Sequence, residues 1–63
     1  MRNTTKLKQI LALYHLDLSM NDEGVMVLHM FHKMKQTVVT VEDVSYSKLI
    51  AKAFACMKRD LKQ

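Results

Sequence analysis

The last third of the chain carries apolar residues at the spacing of an amphipathic helix. Between Tyr46 and Leu61, one apolar stripe is formed by Tyr46, Leu49, Ile50, Ala53, Phe54, Met57 and Leu61. At about 100° per residue, positive charges fall on nearly the opposite side, namely Lys48, Lys52, Arg59 and Lys62. The pattern predicts a helix with one face packed on a core and a basic face in solvent.

A shorter helix is predicted near the start of the chain. Thr4 or Thr5 can cap it, and four apolar residues follow at helical spacing, namely Leu7, Ile10, Leu11 and Tyr14. We expect this helix to end near Tyr14 or His15.

The pattern then changes to period two, which is typical of a strand buried on one side. Leu16, Leu18 and Met20 alternate with polar residues, and the only glycine of the chain, Gly24, follows shortly after. A three-residue hairpin loop of Asp22, Glu23 and Gly24 would use the glycine in a left-handed conformation. It would also make every cross-strand pair on one face apolar: Met20 with Met26, Leu18 with Leu28, and Leu16 with Met30.

Two further strands complete the predicted sheet. The second runs from Val25 to about Phe31, and the third, Thr37 to Glu42, is rich in β-branched residues. A four-residue loop, His32 to Lys35, would set Val39 beside Leu28 and Val41 beside Met26. Ser45 or Ser47 would then cap the final helix.

These elements predict a single small α+β domain, residues 1–63, with the order α-β-β-β-α. A three-stranded antiparallel meander would carry both helices on one face. The core strand residues would be Leu16, Leu18, Met20, Met26, Leu28, Met30, Val39 and Val41. The opposite side of the sheet, called the open face below, has several apolar residues and is our candidate partner interface: Val25, Val27, His29, Phe31 and Val38.

Size, charge and cysteine usage narrow the function classes. A chain of 63 residues with 49% hydrophobic residues is near the lower limit for a stable core, so burial of further surface in a homodimer would be favourable. The single cysteine, Cys56, excludes an internal disulfide and is expected to be a half-buried, inert thiol in a cytoplasmic protein. No apolar run reaches the roughly 20 residues of a membrane span.

The sequence gives no sign of catalysis. It has one glycine, which excludes a glycine-rich phosphate loop, and no serine lies in a recognisable nucleophile motif. His15, His29 and His32 are poorly spaced for a metal site. We therefore expect a protein that is not an enzyme and that has no metal and no cofactor.

The net charge of +4 and the basic helix face leave nucleic-acid binding as an alternative function. Its candidate residues are Lys48, Lys52, Lys58, Arg59 and Lys62. The run Ser47-Lys48-Leu49-Ile50-Ala51-Lys52, placed at the start of the last helix, resembles the Ser-Lys-Lys-x-Ala-Lys run of the double-stranded RNA-binding domain. That family has the same α-β-β-β-α order and uses this run to bind phosphates. Here Leu49 replaces the middle lysine, and a tight acidic turn replaces the family's long first hairpin loop.

The chain also resembles short proteins of bacterial phages and conjugative elements. These pair a three-stranded sheet with a Ser-Tyr-Ser-type helix cap, here Ser45-Tyr46-Ser47. This resemblance implies no activity. Two functions are therefore predicted side by side: protein interaction or self-association through the open face, and nucleic-acid binding through the basic helix face.

Overall fold

The computed structural model describes residues 2–61, and of Leu61 only the backbone. Its elements are the helix Asn3–Leu13 (α1), the strands Tyr14–Met20 (β1), Met26–His32 (β2) and Val38–Asp43 (β3), and the helix Tyr46–Leu61 (α2). The strands form an antiparallel sheet in the order β1-β2-β3, and both helices contact it. The predicted α+β class and element order are confirmed.

The first hairpin has the predicted register. Met20 pairs with Met26, Leu18 with Leu28, and the remaining pairs continue without a bulge to Tyr14 and His32. In the turn, Gly24 has φ +84°, a conformation that most other residues adopt only with strain. The Asn21 side-chain oxygen accepts hydrogen bonds from two backbone amides of the turn, Glu23 N at 2.9 Å and Val25 N at 3.0 Å.

The predicted register between β2 and β3 is wrong by two residues. Leu28 pairs with Val41 and Met30 with Val39, whereas Val39 was expected beside Leu28. The connection is a tight turn in which His32 N donates to Thr37 O, and Gln36 takes φ +57°. Because the error is an even number of residues, each β3 side chain still lies on the predicted face.

The first helix begins earlier than predicted and ends, as predicted, near Tyr14. Its N-cap residue is Arg2, with no side-chain capping bond, so neither Thr4 nor Thr5 is the cap. At the other end, Tyr14 is already extended and is the first residue of β1, although its amide still donates to Ile10 O. The chain passes from helix to strand without a loop.

The second helix confirms most of its predicted stripe. Ser45 is the cap: its carbonyl accepts from Leu49 N at 2.9 Å, and its hydroxyl lies 3.5 Å from Lys48 N. Five stripe residues are buried, namely Leu49, Ile50, Ala53, Phe54 and Met57. Tyr46, at the start of the stripe, is exposed, and the Leu61 side chain lies outside the described atoms.

Two residues predicted in the core are on the surface. Leu28, Met30 and Val41 are buried as expected, and three others pack against the core while partly exposed, namely Leu16, Met26 and Val39. Leu18 is 51% exposed and Met20 67%. The reason is the placement of the helices: α2 lies against β3 and β2, and α1 packs mainly against α2 and only slightly against β1.

Polar contacts join the two helices at both ends. Asn3 Nδ2 donates to Ser47 Oγ at 3.0 Å, and the Tyr14 hydroxyl, just after α1, donates to Asp60 Oδ2 at 2.6 Å. The first residues of both helices are therefore close together, and so are their last turns, which means that the helices run side by side in the same direction. Tyr14 is only 1% exposed, and its burial, followed by the bond to Asp60, raises its pKa to about 12.

Candidate protein-interaction surface

The open face consists of cross-strand rows fixed by the register. Phe31 of β2 stands between His15 of β1 and Val38 of β3, and His29 in the next row stands between Asp17 and Thr40. The candidate residues Val27, His29, Phe31 and Val38 thus share one side of the sheet, and Val25 lies at the hairpin end just before β2.

Phe31 and Val38 form the most exposed apolar part of the open face. Phe31 is 39% exposed and Val38, its direct cross-strand partner, 57%. Val25, Val27 and His29 are half-buried. Aromatic side chains such as that of Phe31 are enriched in the cores of protein interfaces relative to the rest of the protein surface.

His29 is held in the middle of this surface by a neighbouring strand. Its Nδ1 lies 3.1 Å from Thr40 Oγ1, and its ring centroid is 6.4 Å from that of Phe31. Asp17 lies across from His29 on the other side, as the register predicts. The imidazole therefore gives the open face a polar centre beside the apolar pair.

Lys52, one of the candidate phosphate ligands, is already occupied within the fold. Its Nζ lies 3.0 Å from Asp43 Oδ2 and donates to Glu42 O at 2.8 Å. The pKa of the Asp43 carboxyl is lowered, first by the hydrogen bond from Ser45 N and then by Lys52. Two of the three ammonium donors of Lys52 are therefore used within the fold, and the neighbouring Asp43 carboxylate would repel a phosphate bound by the third.

The four other basic candidates differ in their surroundings. Lys48 is exposed, and Arg59 donates to the half-buried Cys56 sulfur at 3.1 Å. Lys58 lies over the Phe54 ring, with Nζ 4.9 Å from its centroid, and is thus turned toward the α1 side of the helix. Lys62 lies outside the described residues.

An open groove of about 590 Å³ lies on the surface where α2 packs against β3. Its floor is apolar, and Lys52 and Arg59 lie at its α2 side. Among the described residues, the polar groups that line the groove besides Lys52 and Arg59 are the Thr40 hydroxyl and the Cys56 thiol.

The three histidines divide between the two faces of the sheet: His15 and His29 lie on the open face, and His32 lies on the helix side beside Tyr14. His32 Nδ1 accepts from Met34 N at 3.1 Å and from Lys35 N at 3.0 Å, and its ring meets that of Tyr14 edge-on. Within residues 2–61, no group of three or more His, Cys, Asp or Glu side chains is placed to hold a metal ion.

One exposed apolar surface was not predicted from the sequence. Leu18 and Met20 lie on the helix side of β1, where they were expected to be covered. Their alternation with polar residues is the same whether or not a helix covers them, so period two alone does not reveal the difference.

None of the helices within residues 2–61 is both long and apolar enough to cross a membrane. Comparison with protein-family models, with curated proteins and with solved structures gives no match. The similarity to the double-stranded RNA-binding domain is therefore a similarity of element order.

Proposed function

We propose that this protein is a small, non-catalytic interaction module that associates with a second copy of itself, or with a protein partner, through the open face. The observation that carries the proposal is the pairing of Phe31 and Val38, an exposed aromatic and an exposed β-branched side chain in direct cross-strand contact on a sheet face without helices. Aromatic residues at the centre of an interface commonly supply much of the binding energy.

The physical case for association rests on size as well as on the surface. A chain of 63 residues buries a small core, here ten apolar residues within the described part. Packing a second layer on the open face would bury Phe31 and Val38 and give the sheet an apolar layer on both sides. Half-buried His29 would lie beside this contact, with its bond to Thr40 retained.

Replacing Phe31 with serine should weaken self-association measured by sedimentation equilibrium. We expect the dissociation constant of the face contact to rise roughly 10- to 30-fold, because the loss of a central aromatic side chain costs about 1.4–2 kcal/mol or more. Val44→Ser is a matched control, since Val44 is 68% exposed but lies between β3 and α2. Equal dissociation constants for wild type and Phe31→Ser would disprove this contact.

Nucleic-acid binding remains the second candidate, supported by the exposed row of Lys48, Lys52 and Arg59 along α2. These positions lie within about 40° of one another around the helix at 100° per residue. Binding to a double-stranded RNA or DNA would use them as phosphate contacts, as in the family that the sequence resembles. An origin in a phage or conjugative element would be compatible with either candidate.

The double variant Lys48→Glu with Arg59→Glu tests this candidate without breaking the Lys52–Asp43 pair. If α2 binds phosphates, anisotropy of labelled duplex RNA and DNA should show salt-sensitive binding that this variant reduces at least about tenfold. Lys8→Glu is the control, because Lys8 is an exposed lysine on α1. If Lys8→Glu has the same effect per charge, binding follows net charge and α2 is not a specific site.

A further inference from the structure

The helix side of β1 presents apolar side chains that neither helix covers. Leu18 is 51% exposed and Met20 67%, and half-exposed Leu16 precedes them on the same side of the strand. This surface lies at an outer strand of the sheet, since β1 pairs only with β2. It is separate from the open face, which lies on the other side of the sheet.

The backbone of β1 has hydrogen-bonding groups directed away from the sheet at the same residues. Asn21 N donates to Val25 O, so in an antiparallel ladder the residues at odd positions of β1 bond to β2. The N–H and C=O groups of Leu16, Leu18 and Met20 consequently point to the free edge. Within residues 2–61, no side chain bonds to the backbone of these three residues.

The other edge of the sheet, formed by β3, is protected by a lysine side chain. On β3, alternation directs the groups of Val38, Thr40 and Glu42 outward, and there Lys52 donates to Glu42 O. Lysine side chains along an edge strand are a common protection against strand pairing. Between Leu16 and Met20 the β1 strand carries no lysine, and its one charged side chain is that of Asp17.

We propose that β1 pairs antiparallel with β1 of a second copy of this chain, with the two-fold axis at Leu18. The two three-stranded sheets would then become one continuous sheet of six strands. Leu18 would face Leu18 of the second copy, and Leu16 would face Met20 of the second copy, so that the exposed apolar residues of both copies cover one another.

Charge selects this register over the neighbouring ones. With the axis at Leu18, Asp17 faces Ser19 of the second copy. An axis at Asp17 would place the two Asp17 carboxylates directly opposite each other, where like charges are destabilising. An axis at Ser19 would set Leu16 against Asp22 of the acidic turn. The apolar and polar residues of β1 are therefore more self-complementary with the axis at Leu18 than with the axis at Asp17 or at Ser19.

Disulfide trapping tests both the partner and the register. In a Cys56→Ser background, which removes the native thiol, Leu18→Cys should form a covalent dimer under mild oxidation with oxidised glutathione. Directly opposed residues in a hydrogen-bonded pair have Cα atoms about 5.5 Å apart, a distance that suits a disulfide.

Met20→Cys in the same background is the matched control. In the proposed register the two copies of residue 20 are displaced by four residues along the strand, about 14 Å, which is too far for a disulfide. Met20 is more exposed than Leu18, so random collisions would favour the control. An equimolar mixture of Leu16→Cys and Met20→Cys chains should cross-link as a heterodimer.

Amide hydrogen exchange of the unmodified protein gives an independent measurement. The amides of Leu16, Leu18 and Met20 should become protected as protein concentration rises, while those of Val38 and Thr40 should not. Absence of this protection, or cross-linking of Met20→Cys as fast as that of Leu18→Cys, would overturn the proposal. Pairing of β1 with a different protein would also leave Leu18→Cys uncross-linked.

The edge contact and the open-face contact can be disproved independently, because a different variant disrupts each of them. Phe31→Ser should leave the Leu18→Cys cross-link unchanged, while Leu18→Asp should abolish edge pairing and leave association that depends on Phe31. If both contacts form, wild type should assemble beyond a dimer, and each of these two variants should reduce it to a dimer held by the other surface.

Discussion

Replacing Ile10 with alanine should lower the free energy of unfolding by about 2–5 kcal/mol, which is the usual range for truncating a buried aliphatic side chain. Ile10 is 0% exposed and is the fully buried residue of α1, where it packs in the cluster with Tyr14, Met30 and Leu49. The cavity would lie between α1 and the rest of the core. A domain of this size has little stability to lose, so the variant should be largely unfolded at moderate urea concentrations.

Leu11→Ala supplies the control for this experiment within the same helix turn. Leu11 neighbours Ile10 in sequence but is 44% exposed, so its truncation removes much less buried area. Urea unfolding followed by circular dichroism should therefore show a large shift of the midpoint for Ile10→Ala and a small one for Leu11→Ala. Equal shifts would mean that α1 does not pack on the sheet as described.

The first hairpin could be predicted residue by residue because two local signals agree. Gly24 identifies the left-handed turn position, and alternation in both flanking strands excludes every register that differs from the observed one by a single residue. The second connection has no glycine, and its left-handed residue is Gln36. The sequence therefore lacked the signal that locates the turn, and the predicted register of β3 was wrong by two residues.

The positions of the helices on the sheet depend on tertiary packing, which the spacing of apolar residues along the chain does not determine. The stripe of α2 predicted which of its residues are buried, but the analogous pattern in β1 led to the wrong expectation for Leu18 and Met20. Whether a sheet residue is covered depends on where a helix crosses it, and α1 enters β1 directly at Tyr14. The exposed apolar surface of Leu18 and Met20 at the β1 edge follows from that placement.

The same holds for the candidate sites: features set by the pattern of one strand or helix could be predicted, whereas contacts between distant elements could not. The residues of the open face could be predicted because alternate residues of a strand lie on the same face of the sheet. A register error of two residues does not change the face on which a residue lies. The engagement of Lys52 with Asp43 and with Glu42 O required the position of α2 relative to the end of β3. Helical periodicity placed Lys52 in a basic row, but it could not show that a carboxylate already binds it.

The Tyr14–Asp60 bond should make the stability of the protein fall steeply in alkali. The pKa of Tyr14 is raised from 10.0 to about 12 by burial and by its hydrogen bond to Asp60. A pKa raised by folding means that the folded state holds the proton more tightly than the unfolded state does. The stabilisation is therefore complete below pH 10 and is lost between about pH 10 and pH 12, with a size of about 2 kcal/mol.

The two tyrosines of the chain allow this loss to be isolated. Tyr46→Phe leaves Tyr14 as the sole tyrosine, so tyrosinate absorbance of that variant should follow Tyr14 alone and rise near pH 12. Its unfolding free energy should lose about 2 kcal/mol more over this window than that of Tyr14→Phe, which has no buried phenol to ionise. At neutral pH, Tyr14→Phe should itself be less stable by about 1 kcal/mol, because Asp60 loses its donor. Parallel alkaline curves for the two variants would show that Tyr14 is not the group that couples ionisation to folding, and that the contact between the start of β1 and the end of α2 contributes little to stability.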